Sequence, residues 1–201
     1  MRTLKRIAVY CASSDDVPEH YFQAAREFGH LLARLELGLV YGGGKVGLMG
    51  ALADAVLEAG GEVIGIIPQK LMDLEVGHTD ITRLEVVSDM GVRKYRMMEL
   101  ADAFVALPGG YGTLEEIAEV TTLAQLNYQD KPVGLLNHRG FWDHLMAWYQ
   151  HATQEGFIRP LHADLVLVDT CGETLLERLS KYTIPDVIEW SSKDPAFSSV
   201  R

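Results

Sequence analysis

Short runs rich in valine, isoleucine and leucine recur along the chain, and stretches with helical spacing separate most of them. Seven runs stand out: LKRIAVY, LGLVYG, GEVIGII, TRLEVV, AFVALPG, KPVGLLN and ADLVLVD. Short apolar runs are typical of strands buried on both faces, and parallel strands need long crossover connections, which are usually helices. The alternation therefore predicts a doubly wound, mainly parallel α/β sheet of about six or seven strands, with helices on both faces.

The stretches between these runs carry apolar residues at helical intervals. They comprise residues 21–35, 48–57, 90–101, 114–126 and 141–152. The weakly periodic segment 69–82 indicates a loop near the sheet edge. We therefore predict a single Rossmann-like domain over residues 1–185. Residues 186–201 lack an apolar face, and we predict a loose C-terminal tail there.

The composition excludes several classes of protein. With 201 residues, 48 % of them hydrophobic, the chain can bury about 70 % of its unfolded surface in one core. Its two cysteines, Cys11 and Cys171, lie far apart, which favours a reduced cytoplasmic protein over a disulfide scaffold. The apolar run near the N-terminus predicts a buried strand rather than a signal peptide, and no segment has the apolar length of a membrane span.

The formal net charge of −10 argues against a protein that binds nucleic acid, because phosphate backbones are held by clustered lysine and arginine. An anionic ligand of this chain must therefore be small and held by a local feature. The sequence has no cysteine or histidine cluster with metal-ligand spacing, so we predict no metal site.

Ligands of open α/β sheets bind beyond the carboxyl ends of the strands. Four segments that leave predicted strand ends are unusual: CASSD, GGGKVGLMG, SDMGVRKYR and PGGYGTLEE. Parallel strands all end at the same edge, so we expect these segments to lie together. Two glycine-rich turns and a basic cluster at one edge predict a site for a small ligand that contains phosphate.

The first glycine-rich turn, GGGKVGLMG, occupies residues 42–50. It contains the spacing GxGxxG, but the dinucleotide fingerprint follows the first strand and needs an acidic residue after the next one, where this chain has GEVIGIIP. Two interpretations remain open. The glycines either allow a tight, closely packed turn, or they let the backbone approach a nucleotide, with Gly43 among the contacts.

The second glycine-rich turn, PGGYGT, precedes a predicted helix. Its glycines allow backbone N–H groups to converge where Thr113 begins the helix, and a helix N-terminus is a ready site for phosphate. The alternative is a capping box, in which Thr113 caps the helix and Glu116 reaches back to the N–H of the cap. The residues alone favour neither interpretation.

The basic segment SDMGVRKYR places three cations, Arg93, Lys94 and Arg96, in the first two turns of a helix that Ser88 or Asp89 can cap. Cations at this end oppose the helix dipole, so something anionic should compensate them. The alternative is a solvated basic face that is neutralised by acidic neighbours such as Glu99.

MGVRK followed by PGGYGTLEE resembles the paired motif of the LONELY GUY family, the cytokinin-activating nucleoside 5′-monophosphate phosphoribohydrolases, whose relatives have often been labelled lysine decarboxylases. The resemblance covers residues 7–157, including GGGKVGLMG, GEVIGIIP and KPVGLLN. Gly91 replaces the histidine of the Arg-Lys motif, and Ala12 replaces a glycine that precedes the serines. Leu123, with Asn127 and Tyr128, stands where the family more usually has a tryptophan and a Gly-Leu-like run. These departures concern base preference more than chemistry.

The resemblance implies hydrolysis of the N-glycosidic bond of AMP or an N6-substituted AMP, without a cofactor, by a homodimer. Arg93 and Glu116 match the catalytic arginine and glutamate of the family. The implied substrate-binding residues are Ser13, Gly43, Glu75, Lys94, Gly109, Gly110, Tyr111, Gly112, Thr113 and Thr122. Three alternatives stay open: a non-catalytic protein that binds nucleoside monophosphates, a pyridoxal-phosphate decarboxylase, and a nicotinamide-dependent oxidoreductase that uses the first glycine-rich turn.

Overall fold

The computed structural model of the chain describes residues 2–74 and 76–183. Seven strands form one sheet: β1 (Arg6–Tyr10), β2 (Gly38–Tyr41), β3 (Val63–Pro68), β4 (Arg83–Val87), β5 (Ala103–Ala106), β6 (Val133–Leu136) and β7 (Val166–Asp169). Every pair of neighbours is parallel, in the order β4-β3-β2-β1-β5-β6-β7. Six of the predicted apolar runs each contain one of these strands, and the run GEVIGII contains all of β3 except its last residue, Pro68. The predicted doubly wound α/β sheet is therefore confirmed.

The described residues form seven α-helices: α1 (Glu19–Arg34), α2 (Gly47–Glu58), α3 (Gln69–Met72), α4 (Met90–Leu100), α5 (Tyr111–Gln125), α6 (Asp143–Gln154) and α7 (Gly172–Lys181). The first six connect successive strands, and α7 follows β7. The five predicted helices are confirmed. Two were missed: α3 is a single turn within the predicted loop, and α7 is a full helix that buries Leu175, Leu176 and Leu179. Leucines at this helical spacing were the available signal for α7.

The sheet carries an apolar layer on each face. On one face Ile7, Val9 and Leu39 pack with residues of α1, α2 and α7. On the other face Phe104 and Ile66 belong to a second cluster, which includes residues of α4 and α5. Alternate residues of a strand point to opposite faces, so each central strand contributes to both layers.

The order of the strands reverses direction between the neighbouring strands β1 and β5. Four strands run outward from β1 to β4, and the chain then returns to place β5 on the other side of β1. Backbone hydrogen bonds continue past both strand ends, from Leu107 N to Tyr10 O (2.9 Å) and from Ala12 N to Pro108 O (3.2 Å). The loops after β1 and β5 therefore meet at the switch point of the sheet, where ligands of open α/β sheets bind.

The predicted tail at 186–201 lies outside the described residues, as does the C-terminal limit of the predicted domain. Within residues 2–74 and 76–183, no helix is both long and apolar enough to cross a bilayer.

Candidate active site

A buried ion pair lies between α4 and α5. Arg93 Nη1 donates to Glu116 Oε1 at 3.3 Å, and each side chain is 9 % exposed. Arg93 Nε also donates to the carbonyl of Ile66 in β3, at 3.1 Å. The guanidinium is thus fixed to the sheet on one side and to α5 on the other, and the predicted catalytic pair is brought into contact.

The other two cations of the basic segment have different partners. Arg96 pairs with Glu85 and Glu99, as the alternative of acidic neighbours predicted. Lys94 pairs with Glu115 and with Glu119, whose Oε2 lies 3.2 Å from Lys94 Nζ. The segment is therefore divided, with only Arg93 turned into the interior.

Asp89 starts α4 as its N-cap. Its Oδ1 accepts a hydrogen bond from Val92 N at 2.9 Å, and Ser88 Oγ donates to its Oδ2. The cap fixes the first turn of α4, and Arg93 follows in the second turn, directed at β3 and α5. Of the two predicted caps, the structure uses Asp89.

Burial raises the pKa of Glu116 to about 7, although the adjacent Arg93 guanidinium lowers it. Glu115 adds to the increase and Lys94 opposes it. Removal of water from a carboxylate disfavours the charged form, and one ion pair does not fully offset that cost here. Glu116 can therefore exist as acid or carboxylate near neutral pH, which is the condition for a group that exchanges protons during a reaction.

Helix α5 has an open N-terminus. It begins at Tyr111 with Gly110 as the N-cap, and the first intrahelical bond runs from Leu114 N to Gly110 O (3.0 Å). The N–H groups of Tyr111, Gly112 and Thr113 thus precede the first helical bond. Among the described residues, a Cβ built at Gly110 or Gly112 would meet no heavy atom within 4 Å. This turn can therefore admit an anion to its backbone donors.

The capping-box interpretation of Thr113 is wrong, because the N-cap is Gly110, three residues earlier. Thr113 is the third helical residue, and its buried side chain fills the space beside Gly109, where a Cβ would lie 2.1 Å from Thr113 Oγ1. Glu116 consequently lies in the second turn of α5 and pairs with Arg93.

The N-terminus of α2, by contrast, is closed. Asp15 Oδ1 accepts a hydrogen bond from Gly47 N at 2.8 Å. Gly47 has a φ of 61°, and a Cβ there would lie 2.5 Å from the carbonyl carbon of Ser13. Gly43, with a φ of 73°, packs against Ile66 and Ile67 of β3 in the same way. Close packing therefore explains Gly43 and Gly47, two of the five glycines of the first turn.

The remaining predicted residues lie in different places. Ser13 is exposed in the loop after β1, beside the segment that meets Pro108. Tyr111 is 94 % exposed at the start of α5. Thr122 is exposed on a side of α5 away from Glu116, and its Oγ1 donates to Ala118 O at 2.8 Å. Glu75 lies outside the described residues.

Two aromatic residues beside the open turn were not predicted from the sequence. Phe141 and Trp142 line a cavity of about 320 Å³ together with Gly109, Gly110 and Tyr111. They follow β6, whose carboxyl end lies at the same edge, and this position was the available signal. In the described part of the chain, no three His, Cys, Asp or Glu side chains come together as a metal site.

Comparison with known proteins identifies relatives over most of the chain. Residues 49–179 match the model of a family described as possible lysine decarboxylase. The chain is 45 % identical over 179 residues to a probable cytokinin riboside 5′-monophosphate phosphoribohydrolase of Oryza sativa subsp. japonica, covering 89 % of this chain and 73 % of that protein. It is 44 % identical over 189 residues to a cytokinin riboside 5′-monophosphate phosphoribohydrolase of Arabidopsis thaliana, covering 94 % and 87 %.

Among solved structures, the chain is similar to the molybdenum cofactor binding protein of Rippkaea orientalis. The TM-score is 0.67 at 24 % identity, over 89 % of this chain and 97 % of that one. At this level of identity the likeness shows the shared fold alone.

Proposed function

The chain belongs to the LONELY GUY family of cytokinin riboside 5′-monophosphate phosphoribohydrolases, and on this premise we propose that it hydrolyses the N-glycosidic bond of AMP or an N6-substituted AMP. The products are the free base and ribose 5-phosphate. The observation that carries the proposal is the buried contact of Arg93 Nη1 with Glu116 Oε1, at 3.3 Å, on the helix that begins with the open glycine turn.

The 5′-phosphate is proposed to bind at the N-terminus of α5. The N–H groups of residues 111–113 and the helix dipole favour an anion there, and the glycines leave room for it. Ser13 lies in the neighbouring loop and can add a hydroxyl donor. The other glycine turn is a poorer candidate, because the Asp15 carboxylate already occupies the N-terminus of α2.

Glu116 is proposed to stabilise the positive charge that develops on the ribose as the bond to the base breaks. A unit-charge pair about 4 Å apart contributes roughly 4 kcal/mol at an effective dielectric of 20, or about a thousandfold in rate. In its carboxylate form Glu116 can also hold the attacking water or the ribose hydroxyls. Arg93 orients that carboxylate and assists the departing base.

The proposal includes a cytoplasmic homodimer that binds neither nucleic acid nor membrane. An apolar groove supports the dimer: α5 and α6 line a cavity of about 570 Å³, whose walls include Leu114, Trp148 and Tyr149. Trp148 is 57 % exposed in the single chain, and large exposed apolar groups in a groove are typical of association surfaces. Thr122 lies in the same groove, so a substrate contact of Thr122 is proposed together with the dimer.

The test is incubation of the purified protein with AMP, N6-isopentenyl-AMP and the matching nucleosides, followed by chromatography of the free base. We expect base from the monophosphates and not from the nucleosides, because the nucleosides lack the group that α5 binds. Nucleotide that binds without release of base would instead support the non-catalytic alternative.

A further inference from the structure

The Arg93 guanidinium lies directly over the backbone of Gly42, the residue after β2. A Cβ built at Gly42 would lie 1.7 Å from Arg93 Nη2 and 2.9 Å from Arg93 Cζ, whereas real Cβ atoms essentially never approach within 3.0 Å of a non-bonded heavy atom. The φ of Gly42 is outside the left-handed region. Backbone conformation therefore does not require glycine at this position, but the guanidinium does.

Arg93 is confined on its other sides as well. Its Nε donates to Ile66 O at 3.1 Å, its Nη1 donates to Glu116 Oε1 at 3.3 Å, and Met90 Sδ lies 3.8 Å from Nη1. A methyl group at residue 42 would force the guanidinium to move by more than about 1 Å. Such a movement breaks the contact with Glu116 or the contact with β3.

We propose that Gly42 is a positioning residue of the reaction, because its missing side chain is the space that holds Arg93 against Glu116. This inference rests on the proposed function, in which Arg93 and Glu116 act on the nucleotide. It gives the first glycine-rich turn a role in catalysis that does not involve contact with phosphate.

Displacement of Arg93 also changes the titration of Glu116. Arg93 lowers the pKa of Glu116 against the effect of burial, so its loss moves that pKa further upward. Lys94 of α4 remains as a weaker opposing charge, and the other groups that interact electrostatically with this site are Glu115, Glu119, Tyr10 and Cys11. The acid limb of the pH–rate profile should therefore shift to higher pH when residue 42 gains a side chain.

The experiment compares Gly42→Ala, Arg93→Ala and the double variant with Gly44→Ala as the matched control. The control adds the same methyl group in the same turn, where its nearest neighbour is the flexible end of Met49. We expect Gly42→Ala to lower kcat about a hundredfold, as misplacement of a reacting group by about 1 Å does. Gly44→Ala should stay within about twofold of the parent.

The double variant isolates the cause. With Arg93→Ala the space over Gly42 is empty, so addition of Gly42→Ala should change neither kcat nor the thermal unfolding midpoint further. Equal effects of Gly42→Ala in the parent and in the Arg93→Ala background would overturn the inference. Full activity of Gly42→Ala, with the acid limb of its pH–rate profile unchanged, would overturn it as well. If the single variant does not fold, the double variant should fold; a double variant that also fails contradicts us.

Failure of the proposed function has a different signature. If the parent protein releases no base from any monophosphate, the thermal unfolding midpoints still give a double-mutant cycle. Its four members are the parent, Gly42→Ala, Arg93→Ala and the double variant. A loss caused by Gly42→Ala that disappears in the Arg93→Ala background supports the coupling of the two residues without reference to activity.

Discussion

At the scale of single residues, two effects act on Glu116 in opposite directions. Burial favours the protonated carboxyl group and Arg93 favours the carboxylate, and the resulting pKa of about 7 leaves both forms populated at neutral pH. Its neighbour Glu115 has the same side chain but is exposed and pairs with Lys94. Adjacent glutamates thus differ through their surroundings alone, which allows matched substitutions to separate their roles.

Glu116→Gln should lower the release of base from AMP by about a hundredfold or more, because the amide cannot stabilise positive charge on the ribose. Glu115→Gln is the matched control and should remain within a few-fold of the parent. Chromatographic assay of free base measures both. Full activity of Glu116→Gln would remove Glu116 from the mechanism.

The pH dependence of stability should also report on Glu116. Its pKa in the folded protein exceeds the ordinary value of 4.5, so the folded state binds the extra proton. The stabilising effect of that proton is complete below about pH 4.5 and is lost as the pH rises through about 7, at a cost of up to about 3 kcal/mol.

Denaturant unfolding of the parent protein and of Glu116→Gln at pH 5 and pH 8 measures this difference. The parent should lose more stability between the two pH values than the variant does, since the variant has no carboxyl group to deprotonate. Identical losses would show that Glu116 titrates normally.

At the scale of the elements, α2 and α5 both follow glycine-rich turns but differ in whether their N-terminal N–H groups are accessible. The N-terminus of α2 is closed by Asp15, whereas that of α5 faces open space at Gly110 and Gly112. A substituent at Gly112 should therefore fit the fold while it competes with a bound anion.

Gly112→Asp should raise the KM for AMP more than tenfold, because its carboxylate repels phosphate at the donors of α5. The same carboxylate favours the positive end of the helix dipole, so the thermal midpoint should not fall. Gly112→Ala adds bulk without charge and serves as the control, with a smaller increase of KM. An unchanged KM in Gly112→Asp would place the phosphate elsewhere.

At the scale of the whole molecule, one groove on the surface exposes large apolar side chains. The groove between α5 and α6 leaves Trp148 more than half exposed. If this groove is the dimer surface, a charge within it should separate the subunits without unfolding them, since the residue is already partly in water in the single chain.

If the proposed dimer forms, Trp148→Glu should halve the mass that light scattering measures for the parent protein at the same concentration. Leu35→Glu, at the end of α1 on the other face of the sheet, is the control and should keep the parent mass. A dimer that survives Trp148→Glu would exclude this groove as the contact.

The elements, and the contact between Arg93 and Glu116, could be predicted from the sequence to a large extent. Buried parallel strands are continuous apolar runs and helices have their own period, so the strands were found from local patterns. The limits of α5 were less accurate: the capping signal at Thr113 was misleading, because Gly110 caps the helix and the Thr113 side chain packs beside Gly109. Packing of this kind leaves no local pattern.

Local apolar patterns were enough to predict the α/β class and the sheet edge at which the site is proposed, and the family motif paired Arg93 with Glu116. No local pattern showed that Arg93, and neither Lys94 nor Arg96, turns inward, or that the N-terminus of α5 is open while that of α2 is closed. The physical reason is that both outcomes depend on contacts between distant residues. Arg93 and Glu116 are separated by 23 positions, and Asp15 and Gly47 by 32. The burial that raises the pKa of Glu116 likewise exists only once the chain has folded.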